Sequence, residues 1–254
     1  MPGKRRTSRK PRSVDAKQNQ EISKLKTEVK KLVKVQEIKS MDNLFSELII
    51  NNSLPAGSKR IDLTAIAPWQ SNALNANTYR LNEREGNQVV IKRFQLDGMI
   101  TLPSDSDFAG NSDPTYEAVC RVIIVHTPAS GFLDIAEALE NPNDVFSFYK
   151  LHPDNPYRVL YDKHFTVQST TQVRGHATTG VNTTSVEPFR RRIKILLNSK
   201  QLGKTGIKVE YGQGNVGLTP VYGGLTMFLL SNVAGATFIK PDLEARARMR
   251  FADL

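Results

Sequence analysis

Three arginines on alternate residues, Arg246, Arg248 and Arg250, stand near the end of this chain, interleaved with Ala245, Ala247, Met249 and Phe251. Strict alternation puts the three on one face of a strand, about 7 Å apart. There they repel one another unless something anionic lies along them. A second basic cluster, Arg190, Arg191, Arg192 and Lys194, surrounds Phe189, Ile193 and Ile195. A third opens the chain: Lys4, Arg5, Arg6, Arg9, Lys10 and Arg12 precede the first acid, among Pro, Gly, Ser and Thr. The chemistry open to such clusters is phosphate contact. For the two strand clusters the alternative is cross-strand pairing with Glu187, Glu210 or Glu244.

No catalytic constellation accompanies them. His126, His152, His164 and His176 are scattered without metal-ligand spacing, and Cys120 sits inside the apolar run Val119 to Val125, which predicts a buried structural thiol. Gly212, Gly214 and Gly217 only loosely imitate a dinucleotide fingerprint. They fall between two strand candidates with no helix after them, so a turn is predicted. Asp105, Asp107 and Asp113 lie in the polar loop Ser104 to Pro114 and are candidates for a calcium ion, though their spacing is not that of an EF-hand. A plain turn is the other reading, and no other cofactor is expected. Aromatic residues make up 7% of the chain and do not interleave with the basic clusters, so binding is expected through phosphate charge with little base stacking or sequence discrimination.

The elements that carry these groups fall into two parts. Residues 1–39 hold 13 Lys/Arg against 4 Asp/Glu, so nearly all of the formal charge of +10 lies at one end. The self-repelling stretch 1–18 predicts a disordered basic arm, and nucleic acid is the polyanion that would neutralise it. The Lys4 to Arg12 cluster is also compatible with recognition by a nuclear import receptor, and the two roles need not exclude each other. Residues 19–40 read as a helix with Ile22, Leu25, Val29 and Leu32 on one face. The stripe is narrow, so it would pack against copies of itself, against nucleic acid or against its own domain. No apolar run follows the basic segment as in a secretory signal, and none is long enough to span a membrane. An intracellular or reducing compartment during assembly is expected.

The remaining residues, 41–254, form one predicted domain. Eight runs rich in β-branched and aromatic residues are separated by turn formers: Lys59 to Ala67, Gln88 to Leu102, Ala118 to Thr127, Tyr157 to Ser169, Pro188 to Leu197, Gly206 to Tyr211, Gly224 to Asn232 and Leu243 to Ala252. A short helix is predicted within Gly131 to Glu140, closed by Asn141-Pro142. Eight strands joined by loops longer than hairpins need predict an all-β, double-sheet jelly roll.

Five stretches resemble capsid proteins of small circular single-stranded DNA viruses that encode a replication initiator. They are Arg84 to Arg93 leading to Leu96-Asp97-Gly98, Arg158 to Lys163 with Phe165, Phe189 to Lys194, Gly223 to Asn232, and Ala245 to Phe251. The layout is also similar to the coat protein of satellite tobacco necrosis virus. The resemblance implies a single eight-stranded jelly roll with sheets lettered BIDG and CHEF, the eight runs becoming strands B to I in order. It further implies a T=1-like icosahedral shell of about sixty copies, an arm turned inward to single-stranded DNA or RNA, and residence in the virion, with assembly in the host nucleus or cytoplasm. The arm is shorter and less arginine-dense than in circovirus-like capsids. The chain is thus expected to be a non-enzymatic structural protein whose partners are itself and single-stranded nucleic acid. The alternative is a non-viral single-strand-binding or chaperone module acting as a monomer or small oligomer.

Overall fold

A computed structural model of the chain describes residues 13–34, 38–50, 59–66, 83–84, 86–102, 117–151, 153–154, 156–168, 189–212, 218–233 and 240–254. The chain divides into two units, Met1–Glu37 and Ile38–Leu254.

The first unit contains the helix α1 (Ser13–Lys34). Free of Gly and Pro, the segment has no residue that would interrupt the helical ladder. It starts and ends earlier than its apolar spacing predicts: residues 13–18, assigned to the disordered arm, are helical, and residues 38–40 open a strand. Ile22 and Leu25 are 48% and 58% exposed, whereas the side chains of Val29 and Leu32 lie outside the described residues.

The second unit comprises, among the described residues, β1 (Ile38–Ile49), β2 (Arg60–Asp62), β3 (Gln88–Leu102), β4 (Glu117–Thr127), α2 (Ile135–Ala138), β5 (Arg158–Gln168), β6 (Phe189–Leu197), α3 (Ser199–Leu202), β7 (Ile207–Tyr211), β8 (Pro220–Tyr222), β9 (Gly224–Ser231) and β10 (Asp242–Asp253). The strands pair antiparallel in two sheets. One runs β1-β10-β3-β7-β8 with β6 also paired to β3; the other runs β2-β9-β4-β5. Read in chain order, this is a jelly roll. β1, β10, β3 and β6 stand as B, I, D and G, and β2, β9, β4 and β5 as C, H, E and F.

The predicted lettering is therefore displaced by one for the first five runs, which supply C to G in place of B to F, while the last three keep G, H and I. Strand B is Ile38–Ile49, a segment the sequence reading assigned partly to the helix, and Lys59 to Ala67 supplies C. Strand G is shared: β6 takes one half of β3, from Phe94 to Leu102, and β7 the other, from Gln88 to Ile91. The predicted Gly131 to Glu140 helix shortens to the single turn α2. Gly223 joins β8 to β9 at φ 75°, and a Cβ there would lie 2.0 Å from the Lys208 carbonyl oxygen, so the corner requires glycine.

Side chains of period two fill the space between the sheets. Met249, Phe251, Phe94, Leu96, Ile193 and Ile195 from one sheet meet Cys120, Val122, Ile124, Leu225, Met227 and Leu229 from the other. A second apolar layer lies on the far side of CHEF. Ile123, Val125, Phe228 and Leu230 pack there under Leu133, Ile135, Ala138, Leu139 and Val145 of the connection between E and F. Strand H is accordingly buried on both faces over its whole length. Burial of this kind contributes about 25 cal/mol per Å2 of apolar surface removed from water.

A buried cation on strand E helps to fasten that connection. Arg121, 5% exposed, donates from Nε and Nη2 to both oxygens of Asp162 at 2.9 and 2.7 Å. Its Nη1 donates to the carbonyls of Val145 and Ser147 at 3.2 and 2.7 Å. Tyr149 donates its hydroxyl to Asp162 at 2.6 Å, and its ring centroid lies 5.2 Å from the guanidinium. Burial alone would raise the Asp162 pKa, but the hydrogen bonds from Arg121 and Tyr149 outweigh it and hold the carboxyl below its ordinary value.

Candidate nucleic-acid interface

The two sheets differ in what lies outside them. CHEF is roofed by the E to F connection, whereas the outer face of BIDG is exposed and carries charge. In β10 the burial alternates without a break from Leu243 to Phe251. Ala245, Ala247 and Met249 point into the core, and Glu244, Arg246, Arg248 and Arg250 point out.

Strand register assembles the two basic clusters of the sequence into one surface. β3 lies between β10 and β6, so Arg246 stands opposite Asp97, which in turn stands opposite Lys194. Arg250 stands opposite Arg93, Met99 opposite Arg192, and Thr101 opposite Arg190. Arg93, Arg190, Arg192, Lys194, Arg246, Arg248 and Arg250 thus share one face. Arg191 does not: its partner Ile100 is fully buried, so it belongs by register to the other face, exposed near the strand end.

Two of these arginines are held by carboxylates from the neighbouring strand. Arg248 donates from Nε and Nη2 to Asp42 at 2.7 and 2.6 Å, and Arg192 donates in the same manner to Asp97 at 3.1 and 2.8 Å. Both bridges are bidentate and open to solvent. The hydrogen bond from Arg248 lowers the Asp42 pKa, and that from Arg192 lowers Asp97. The partners anticipated for these clusters, Glu210 and Glu244, make no ion pair with them among the described residues, and Glu187 lies outside those residues. Arg246, Arg250, Arg190 and Lys194 have no ion-pair partner among the described residues, which leaves their donors to the solvent or to an anion.

The sequence reading missed Asp42, Asp97, Arg93 and Arg121. Asp42 lies in an unrecognised strand. Arg121 is hidden in the apolar run around Cys120, with its acid 41 residues further on. Lys4, Arg5, Arg6, Arg9, Lys10 and Arg12, together with the calcium candidates Asp105, Asp107 and Asp113, lie outside the described residues. Gly212 directly follows β7, and Gly214 and Gly217 lie outside the described residues.

The candidate reactive groups are quiet. Burial pushes the Cys120 thiol up to about 12, so it stays protonated. Burial, aided by the charge of Arg158, lowers His126 to about 4. His164 stacks on Phe146 with ring centroids 5.4 Å apart, its Nε2 3.0 Å from the Val145 carbonyl oxygen; His152 and His176 lie outside the described residues. Among the described residues no group of three or more His, Cys, Asp or Glu could hold a metal ion. No helix among them is long and apolar enough to cross a membrane.

No family model matches the chain, and no curated protein matches it. Among solved structures, a chain from Desmodium yellow mottle tymovirus is similar, at 11% identity over 86% of this chain and 82% of that one, with a TM-score of 0.36.

Proposed function

We propose that the chain is a viral capsid protein: a structural, non-enzymatic subunit that assembles with copies of itself and packages single-stranded nucleic acid. The observation that carries this reading is the division between the two sheets of one jelly roll. One outer face is roofed with apolar residues and the other is a basic plane of seven Arg and Lys residues against Asp42, Asp97 and Glu244. A plate with one cationic side, joined to the cationic segment 1–37, is suited to lie over a polyanion. Phe146, Phe148 and Leu151, 61%, 79% and 84% exposed on the E to F connection, give the same domain apolar surface for contact between copies.

The finer reading follows the sequence resemblance: a T=1-like shell of about sixty copies, of the kind made by small circular single-stranded DNA viruses, with the BIDG face and the arm turned inward. Segment 1–37 would also be the part read by a nuclear import receptor. Each phosphate neutralised releases counterions, so packaging is electrostatic and salt-dependent. Electron microscopy of the expressed full chain, with sequencing of nuclease-protected cargo, tests the proposal. Small closed shells holding single strands are expected. A solitary chain of 28.4 kDa at every ionic strength would overturn the capsid reading and favour a monomeric single-strand-binding module.

A further inference from the structure

We propose that the basic face does more than track phosphates: each subunit holds one nucleotide in a built cleft between β1 and β3, with its base engaged. This rests on the nucleic-acid reading of the same face and adds a base-binding subsite to it.

The wet face is hollowed over β10 into a depression of about 440 Å3, within the ~300–1,000 Å3 common for small-ligand clefts. A comb that followed only a phosphate backbone would need no hollow. Asp42, tied to Arg248, forms one wall, and Asp97, tied to Arg192, forms another. With both carboxylates engaged in these bidentate bridges, neither is left as a bare charge facing an uncharged guest.

Between the two walls stands Arg246, opposite Leu44 on β1 and Asp97 on β3 and with no ion-pair partner among the described residues. Leu44 is 70% exposed, a large apolar side chain on a face otherwise dominated by charge. Gln95, opposite Arg248, adds an amide with a donor and an acceptor that can meet a base edge.

The signs of the lining residues decide the orientation of the guest. Asp42 and Asp97 are already paired with Arg248 and Arg192, so the cleft itself carries no net charge to attract a phosphate, whereas Arg246, with Arg250 further along the comb, favours one at the rim. An uncharged base therefore enters, its flat surface against Leu44 and its edge toward Gln95, and its phosphate stays with Arg246. On this proposal one base contact per subunit is added to binding by charge.

The test compares a short oligodeoxyadenylate with an abasic strand carrying the same number of phosphates, both titrated into the full chain at fixed salt by fluorescence anisotropy. The base-bearing strand is expected to bind about fivefold more tightly, the effect of roughly one hydrogen bond or one partly covered apolar side chain. Leu44→Ala and Gln95→Ala, both surface changes whose folding circular dichroism would verify, should each bring that ratio toward one. Equal affinity for the two strands, with salt dependence intact, overturns the cleft and leaves the phosphate reading standing. A ratio that survives both substitutions also overturns the cleft, and failure of both strands to bind overturns both readings.

Discussion

Arg248 and Asp42 face each other across the pairing of β10 with β1 and share two hydrogen bonds of 2.7 and 2.6 Å, although 206 residues separate them in the chain. The carboxylate occupies the fork that a phosphate would take, so Asp42 competes with nucleic acid for Arg248. Asp42→Asn removes the competing charge. It should raise affinity for single strands and steepen the log-log salt dependence by about 0.7, one further phosphate contact. Anisotropy titrations across a salt series measure both quantities. An unchanged slope would mean that Arg248 is not presented to the strand.

The arm should be separable, provided the cut respects strand B. Lys39 is buried and lies 2.8 Å from Asp253, so the boundary falls before Ile38. Deleting residues 1–37 is expected to leave a folded jelly roll that loses most of its cargo, whereas deleting 1–49 removes a sheet strand and should prevent folding. If the six basic residues between Lys4 and Arg12 each contact a phosphate, the intact chain has a salt slope roughly 4 steeper than the truncated one. Circular dichroism and salt-series binding on both truncations decide this.

Arg121 is predicted to matter for stability. Arg121→Ala leaves the Asp162 carboxylate half-buried and two carbonyls without their donor. Breaking such a buried pair costs about 3–5 kcal/mol, and the E to F connection should loosen first. Denaturant unfolding gives the first quantity, and hydrogen exchange at residues 133–149 gives the second. A loss within experimental error would show that the clamp is dispensable.

His126 sets an acid limit. Its folded pKa of about 4 lies below the unfolded value near 6.5, so the unfolded chain binds the proton first as pH falls. Stability from this group is whole above about pH 6.5 and is lost progressively toward pH 4. After discounting for partial exposure, the loss is on the order of 1–2 kcal/mol. His126→Gln should flatten this part of the stability profile, read as denaturation midpoints between pH 4 and 7. The Asp162 contribution lies lower, since its depressed carboxyl protonates only below the ordinary carboxylate range.

The parts of the fold that were legible in the sequence are those where the two faces of a strand differ. In Ala245 to Phe251 the alternation of small or apolar residues with arginine announced both a strand and its wet side, and both hold. Strand B was hidden because Ile38, Met41, Phe45 and Leu48 recur at helical spacing. Pairing with β10, at the far end of the chain, overrides that local period. The same distance concealed the acids. No local pattern tells that Asp42 will meet Arg248 or that Asp97 will meet Arg192, and the letters of the first five runs slipped with the missed strand. Arg121 was unreadable for another reason: a cation inside an apolar run carries no signal until its partner strand is known.

The central claim is that copies of this plate close around a single strand, and the mass of the complex in solution tests it most directly. With a circular single-stranded DNA added at moderate salt, the full chain of 28.4 kDa should pass into particles near 1.7 MDa, about sixty copies in a T=1-like shell before the mass of the strand is added. A chain that remains at its own mass with the strand in excess would contradict the account.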